Sequence, residues 1–164
     1  ALVPAARAHA AAGDYRETYA LGRRAIRLLD DAGQDGKVVE AMIEVGKVLR
    51  EGDAWALTKA EELLFAAAKP RSAPAAAYLE LGKLYQRQAS IKRSRKALAS
   101  MVWSYRQAAR RDPENAEAQL LLGRAALRLR PRSSEARRAL RRYLKLRPRG
   151  EEADRVRTLV ERTW

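Results

Sequence analysis

The sequence predicts an all-α chain built from paired helices, and three observations predict it. Apolar residues recur at spacings of three and four. Leu79, Leu81 and Tyr85 form one set, Leu120, Leu122 and Ala126 another, and Leu140, Tyr143, Leu144 and Leu146 a third; this is helical periodicity. β-branched residues are few, and no stretch alternates apolar and polar side chains for long enough to make a sheet. Turn-forming residues interrupt the chain at Gly13-Asp14, Gly33 to Gly36, Gly52-Asp53, Pro70 to Pro74, Asp112-Pro113, Pro131 to Ser134 and Pro148 to Gly150. They leave helices of about 12–16 residues between them.

The elements follow in chain order. The segment after Gly13, from Tyr15 through Ala25 and Leu28, reads as the second helix of a first pair, followed by a long loop at Asp30–Gly36. "AMIEVGKVLR" (41–50) and "AEELLFAAAKP" (60–70) are the two helices of a second pair. "YLELGKLY" (78–85) and "MVWSYRQAARRDP" (101–113) make a third. Tyr78 to Arg111 contains no proline and no glycine beyond Gly82, so the turn between them is expected near Ala89-Ser90. "AQLLLGRAAL" (118–127) and "ARRALRRYLKLRP" (136–148) form a fourth. In "EEADRVRTLVERTW", Ala153, Val156, Val160 and Trp164 share one helical stripe, and Glu151, Glu152 and Asp154 occupy the first turn. Acids suit the positive end of the helix dipole. This last helix reads as a cap over the fourth pair or as the first helix of a further one.

The pairs repeat. "AMIEVGKVLR", "YLELGKLY" and "AQLLLGRAAL" each place an aliphatic residue, a glycine, a cation and then another apolar residue in the same order. Their glycines, Gly46, Gly82 and Gly123, lie 36 and 41 residues apart. The pattern resembles the tetratricopeptide repeat, whose unit is a helix–turn–helix of about 34 residues. Tyr78, Leu81, Gly82 and Tyr85 match the first half of that repeat, and Met101, Tyr105, Ala108 and Pro113 the second. Gln119, Leu122, Gly123 and Ala126 begin the next unit, followed by Ala136, Leu140 and Pro148. The resemblance spans nearly the whole chain. It implies a right-handed α-solenoid of about four hairpins (units 1–33, 36–71, 75–112 and 115–148) plus a capping helix at 151–164, in a single repeat domain. One hairpin cannot bury its apolar face alone, so neighbours stack. The third unit has seven extra residues between Gly82 and Tyr105 relative to the family spacing. They are expected to lengthen both helices by about a turn and to carry Lys92, Arg93, Arg95 and Lys96 out past the neighbouring hairpins.

Charge is unevenly placed. The 164 residues carry a formal net charge of +14, all of it from residues 75–164, where 23 cations face 9 acids; residues 1–74 carry eleven of each. Such asymmetry points to a polyanionic partner. The densest stretch, Ala126 to Gly150, holds nine arginines, one lysine and one acid, Glu135. Within it Ala136, Ala139, Leu140, Tyr143 and Leu144 form a buried stripe, and Arg137, Arg138, Arg141, Arg142 and Lys145 fall on the other faces. An amphipathic helix with arginine on its wet side accounts for this without a ligand. No base-stacking aromatics are interleaved with these arginines, which counts against nucleic acid.

Little in the sequence points to catalysis or a cofactor. There is no cysteine and one histidine, His9. The acidic pairs Asp30-Asp31, Glu61-Glu62 and Glu151-Glu152 have no distinctive setting, and no glycine loop cradles phosphate. No enzyme activity, cofactor or metal is expected. No apolar run approaches the roughly 20 residues a membrane helix needs, and no signal-peptide pattern opens the chain. The expectation is a cytoplasmic fragment or processed form of something longer.

The resemblance further implies that the first helix of each pair lines a concave groove. The residue after each repeat glycine is basic: Lys47, Lys83 and Arg124, with Arg7 in the corresponding place of the first unit. Three residues before the glycine stand Ile43, Leu79 and Leu120, with Val3 in the first unit. Positions four apart share a helix face. Arg50, Arg87 and Arg128 extend the positive side. A greasy lane beside a cationic one suits an acidic amphipathic protein segment; the alternative assigns the aliphatic lane to the core between helices. A subset of the family clamps a terminal carboxylate with lysines, asparagines and an arginine. Here Glu80, Ile43 and Leu121 stand where those donors would be, so that specificity is not expected. The sequence therefore reads as a non-enzymatic adaptor or scaffold module. Nucleic-acid or other polyanion binding through the basic half, and self-assembly through open ends, are the alternatives.

Overall fold

A computed structural model describes residues 2–164, with the side chains of Leu2, Val3 and Lys92 excepted, so the expectations placed on Val3 and Lys92 lie outside the described residues. Among the described residues there is no strand. They form nine helices: α1 (Leu2–Ala11), α2 (Tyr15–Asp31), α3 (Asp35–Leu49), α4 (Ala54–Ala68), α5 (Ala75–Lys92), α6 (Arg95–Arg111), α7 (Ala116–Leu129), α8 (Ser134–Leu146) and α9 (Glu151–Thr163).

The boundaries follow from local chemistry. The side chains of Asp14, Asp53, Ser94, Asn115 and Ser133 accept hydrogen bonds from the backbone N–H groups of Glu17, Ala56, Ala97, Ala118 and Ala136. Each satisfies a donor that an uncapped helix leaves open. Two turns differ from expectation. The loop at Asp30–Gly36 is short: α2 continues to Asp31 and α3 begins at Asp35. Gly33, at φ +65°, reverses the chain within the space between them. The turn expected near Ala89-Ser90 lies instead at Arg93-Ser94, because α5 continues to Lys92. Arg93 there takes a left-handed conformation (φ 47°), and Ser94 caps α6. The extra residues of the third unit thus lengthen its helices: α5 has 18 residues and α6 has 17, against 14 and 13 in α7 and α8.

The helices gather into two compact units, Ala1–Leu84 and Tyr85–Trp164, with the division inside α5. In the first unit α1 packs on α2, α2 on α3 and α3 on α4, while α1 also touches α3 and α2 touches α4. Val45, Leu49, Ala60, Leu64 and Ala67 are buried in this unit. Two glycines set its spacing. A Cβ at Gly22 would lie 2.5 Å from Val45 Cγ1, and one at Gly46 would lie 2.6 Å from Leu64 Cγ. The Tyr78 hydroxyl donates to the Ala68 carbonyl at 2.7 Å.

In the second unit α6 packs on α7, α7 on α8 and α8 on α9. Met101, Tyr105, Ala108, Leu122, Ala136, Leu140 and Val156 are buried. A Cβ at Gly123 would fall 2.5 Å from both Cγ and Cδ2 of Leu140. The stripe expected on the last helix is the face that packs. Ala153 and Val156 are buried, and Val160 and Trp164 lie against the cluster of Leu140, Tyr143 and Val156.

Candidate functional site

The residues expected to form a binding groove divide between the two units. In the first, Ile43 and Lys47 lie on α3, Arg50 caps its C-terminus, and Leu79 and Lys83 lie on α5. In the second, Arg87 lies near the end of α5, and Leu120, Arg124 and Arg128 lie on α7. The aliphatic members are mostly spent on packing. Ile43 and Leu79 are each 8% exposed, and Leu120 packs against Leu140, Tyr143 and Val156. They behave as the core between helices, because a residue four before an outward cation on an α-helix still lies within reach of the neighbouring helix.

The cations behave differently from one another. Lys47 is exposed and has no carboxylate partner among the described residues. Arg50 and Lys83 converge on Glu80. Arg50 Nη1 donates to Glu80 Oε2, and Lys83 Nζ donates to Glu80 Oε1 at 2.9 Å. Glu80's side chain is only 9% exposed, and a carboxylate so far from water needs compensating charge. Arg50 also donates to Glu51 at 2.9 Å. In the second unit Arg124 donates to Glu152 in α9. Arg87 is half-buried, and Arg128 is exposed with no ion-pair partner among the described residues.

The arginine-rich surface divides in the same way. Arg93, Arg95 and Lys96 are exposed around the α5–α6 turn, and Arg138 and Arg141 along α8. Arg142 donates to Glu114, and the Arg137 guanidinium sits 6.0 Å from the Trp164 ring centroid. A further pair falls outside the expected set. Arg106 grips Glu135 with two parallel bonds, Nε to Oε1 at 2.5 Å and Nη2 to Oε2 at 2.8 Å. Those bonds hold the Glu135 carboxyl below the ordinary carboxylate range, against the opposing effect of partial burial. They raise the Arg106 guanidinium in turn.

One concavity escaped the sequence reading. In the first unit a cleft of about 870 Å³ opens between α3 and the connection from α4 to α5. Val39, Met42 and Ile43 line it on the helix side, and Pro70, Ala73 and Pro74 on the other. Asp35, Glu40 and Glu44 also line it, and among the described residues no lysine or arginine does. Glu44 accepts a bond from Arg7. Of the expected groove residues, only Ile43 borders this cleft. The sequence signal was the acid–apolar spacing along α3; what it lacked was the proline-bracketed wall, which comes from about 30 residues further along the chain.

No group of three or more metal-ligating side chains is placed to hold a metal ion among the described residues, and no helix is long and apolar enough to cross a membrane. Compared with known proteins, the chain matches no family model, and no curated protein matches it.

Proposed function

We propose that this chain is a non-enzymatic protein-binding module, an adaptor or scaffold built as a stack of hairpins like those of the tetratricopeptide repeat, and that its outward cations receive acidic segments of a partner. One observation carries the reading. At the position after the repeat glycine, Arg124 already receives a carboxylate, Glu152, from a neighbouring helix, while Lys47, at the equivalent place in α3, is exposed and receives none among the described residues. What Glu152 does within the chain, an external acid does at Lys47, and likewise at Arg128, one turn beyond Arg124. Exposed pairs of this kind are each weak, roughly 0.2–1 kcal/mol, so the contacts steer and orient the partner more than they fasten it.

The test is fluorescence anisotropy with a labelled Leu/Glu peptide. Lys47→Glu and Arg128→Glu are each expected to weaken binding several-fold while far-UV circular dichroism stays unchanged. Affinity untouched by both substitutions defeats the reading.

A second reading rests on the exposed cations Arg93, Arg95, Lys96, Arg138 and Arg141 of the second unit, which suit a polyanion such as RNA or DNA. Phosphate binding releases counterions, so log affinity falls linearly with log salt. A steep slope with duplex or single-stranded probes favours this reading, and feeble binding with a shallow slope removes it.

A further inference from the structure

The cleft on α3 is lined by acids, in a chain whose net charge is positive. Among the described residues its lining contains three carboxylates and no cation, although exposed Lys37, Lys69 and Arg71 adjoin lining residues in the chain. Asp35 and Glu40 are exposed, and neither has an ion-pair partner among the described residues. Glu44 alone is partly answered, by Arg7. Between these acids the surface is apolar, from Val39, Met42 and Ile43 on one side to Pro70, Ala73 and Pro74 on the other.

We infer that this cleft seats a partner protein's amphipathic segment whose middle is apolar and whose flanks carry lysine or arginine. The apolar side chains fill the space between Met42 and Pro74, and the flanking cations meet Glu40 and Asp35 at the rim. An acidic segment is disfavoured there, since its carboxylates would approach Glu40 and Asp35 as the apolar part is buried, and like charges brought together with little water between them repel. The volume, about 870 Å³, lies at the upper end of the roughly 300–1,000 Å³ typical of ligand pockets and admits several side chains from successive turns of a helix. Met42 brings an unbranched, adaptable side chain to the floor. Pro70 and Pro74 fix two backbone φ angles in the facing wall, so the site needs little ordering on binding. The inference does not depend on acidic segments binding at Lys47 or Arg128.

The test uses a model Leu/Lys peptide of about 14 residues, roughly 21 Å long as a helix, and a Leu/Glu peptide of equal length. Binding is followed by fluorescence anisotropy against the wild-type chain, the double variant Asp35→Asn/Glu40→Lys, and Lys47→Glu as control. The altered residues are exposed, and thermal unfolding checks that both variants remain folded. The expected result is saturable binding of the Leu/Lys peptide, weakened about tenfold in the double variant, as removal of one surface attraction and reversal of another implies, and not weakened in Lys47→Glu. Three outcomes overturn the inference: no Leu/Lys binding, equal binding by the wild type and the double variant, or a wild-type preference for Leu/Glu that Val39→Arg abolishes. Light scattering at rising concentration supplies a fourth. A concentration-dependent increase in mass that the double variant loses assigns the cleft to a second copy of the chain.

Discussion

Replacing Gly123 with alanine tests the close approach of α7 and α8. The new methyl carbon would stand 2.5 Å from Cγ and Cδ2 of Leu140 and 3.3 Å from its backbone nitrogen. Carbon atoms in contact prefer about 3.5–4.0 Å, so the two groups must separate by about 1 Å or more. Leu140 has little room to retreat, being fully buried in a cluster with Tyr143 and Val156. Overpacking of this kind costs about 1–3 kcal/mol. Alanine is the better helix former by about 1 kcal/mol, which offsets part of it. The expected net loss is about 1–2 kcal/mol, read as a lower urea midpoint with an unchanged slope. Leu140→Ala alone is expected to cost about 2–5 kcal/mol. In the double variant the alanine methyl occupies part of the vacated space, so the two losses add to less than their sum, with a coupling of about 1–2 kcal/mol. Gly123→Ala that stabilises the chain by about 1 kcal/mol, with no coupling to Leu140, would show helix propensity acting alone and would refute the packing argument.

Three further outcomes are expected. Glu80→Gln removes the carboxylate shared by Arg50 and Lys83; with Arg50 only 15% exposed, the loss is about 2 kcal/mol by urea unfolding, and a cost indistinguishable from zero would show that water already serves both cations. Ser104→Ala should raise stability by about 1 kcal/mol, because among the described residues the buried Ser104 hydroxyl has no hydrogen-bond partner and an unsatisfied buried hydroxyl is costly; destabilisation would reveal a bond to that oxygen. Glu135 has a folded-state pKa below its unfolded value, so its contribution is present above the ordinary carboxylate range and is lost as pH falls through the lower folded value. The stability gap between the wild type and Glu135→Gln should therefore be widest near neutrality and close in acid, and a gap independent of pH would count against the Arg106–Glu135 pair.

The candidate site was legible in part. Lys47, Arg124 and Arg128 are solvent-facing, as their place on amphipathic helices implied, and the repeat glycines Gly46 and Gly123 lie at close helix contacts. Gly22 makes the same kind of contact with Val45, but it sits in the second helix of its pair, where the repeat pattern did not look for it. The aliphatic lane was less legible. Ile43 and Leu79 sit at the border between groove and core on the helix circumference, and spacing does not tell which neighbour covers them. The turn after α5 was misplaced because Arg93 adopts a left-handed conformation without the glycine that commonly marks one. The cleft was not legible, since its two walls come from distant stretches of chain.

That the chain is helical, where most of its helices are interrupted, and which faces are apolar could be read from the sequence. These are local properties, set by residues three or four apart competing for the same backbone donors and the same side of a helix. Tertiary structure alone decided which of the many cations remain available. Arg7 finds Glu44, Arg50 finds Glu80, Arg106 finds Glu135 and Arg124 finds Glu152 across separations of 37, 30, 29 and 28 residues. Ion pairing depends steeply on distance and solvent exposure, and both are fixed only when the helices have packed. The same packing gathered Asp35, Glu40 and Glu44 around an apolar cleft with no cation in its lining among the described residues.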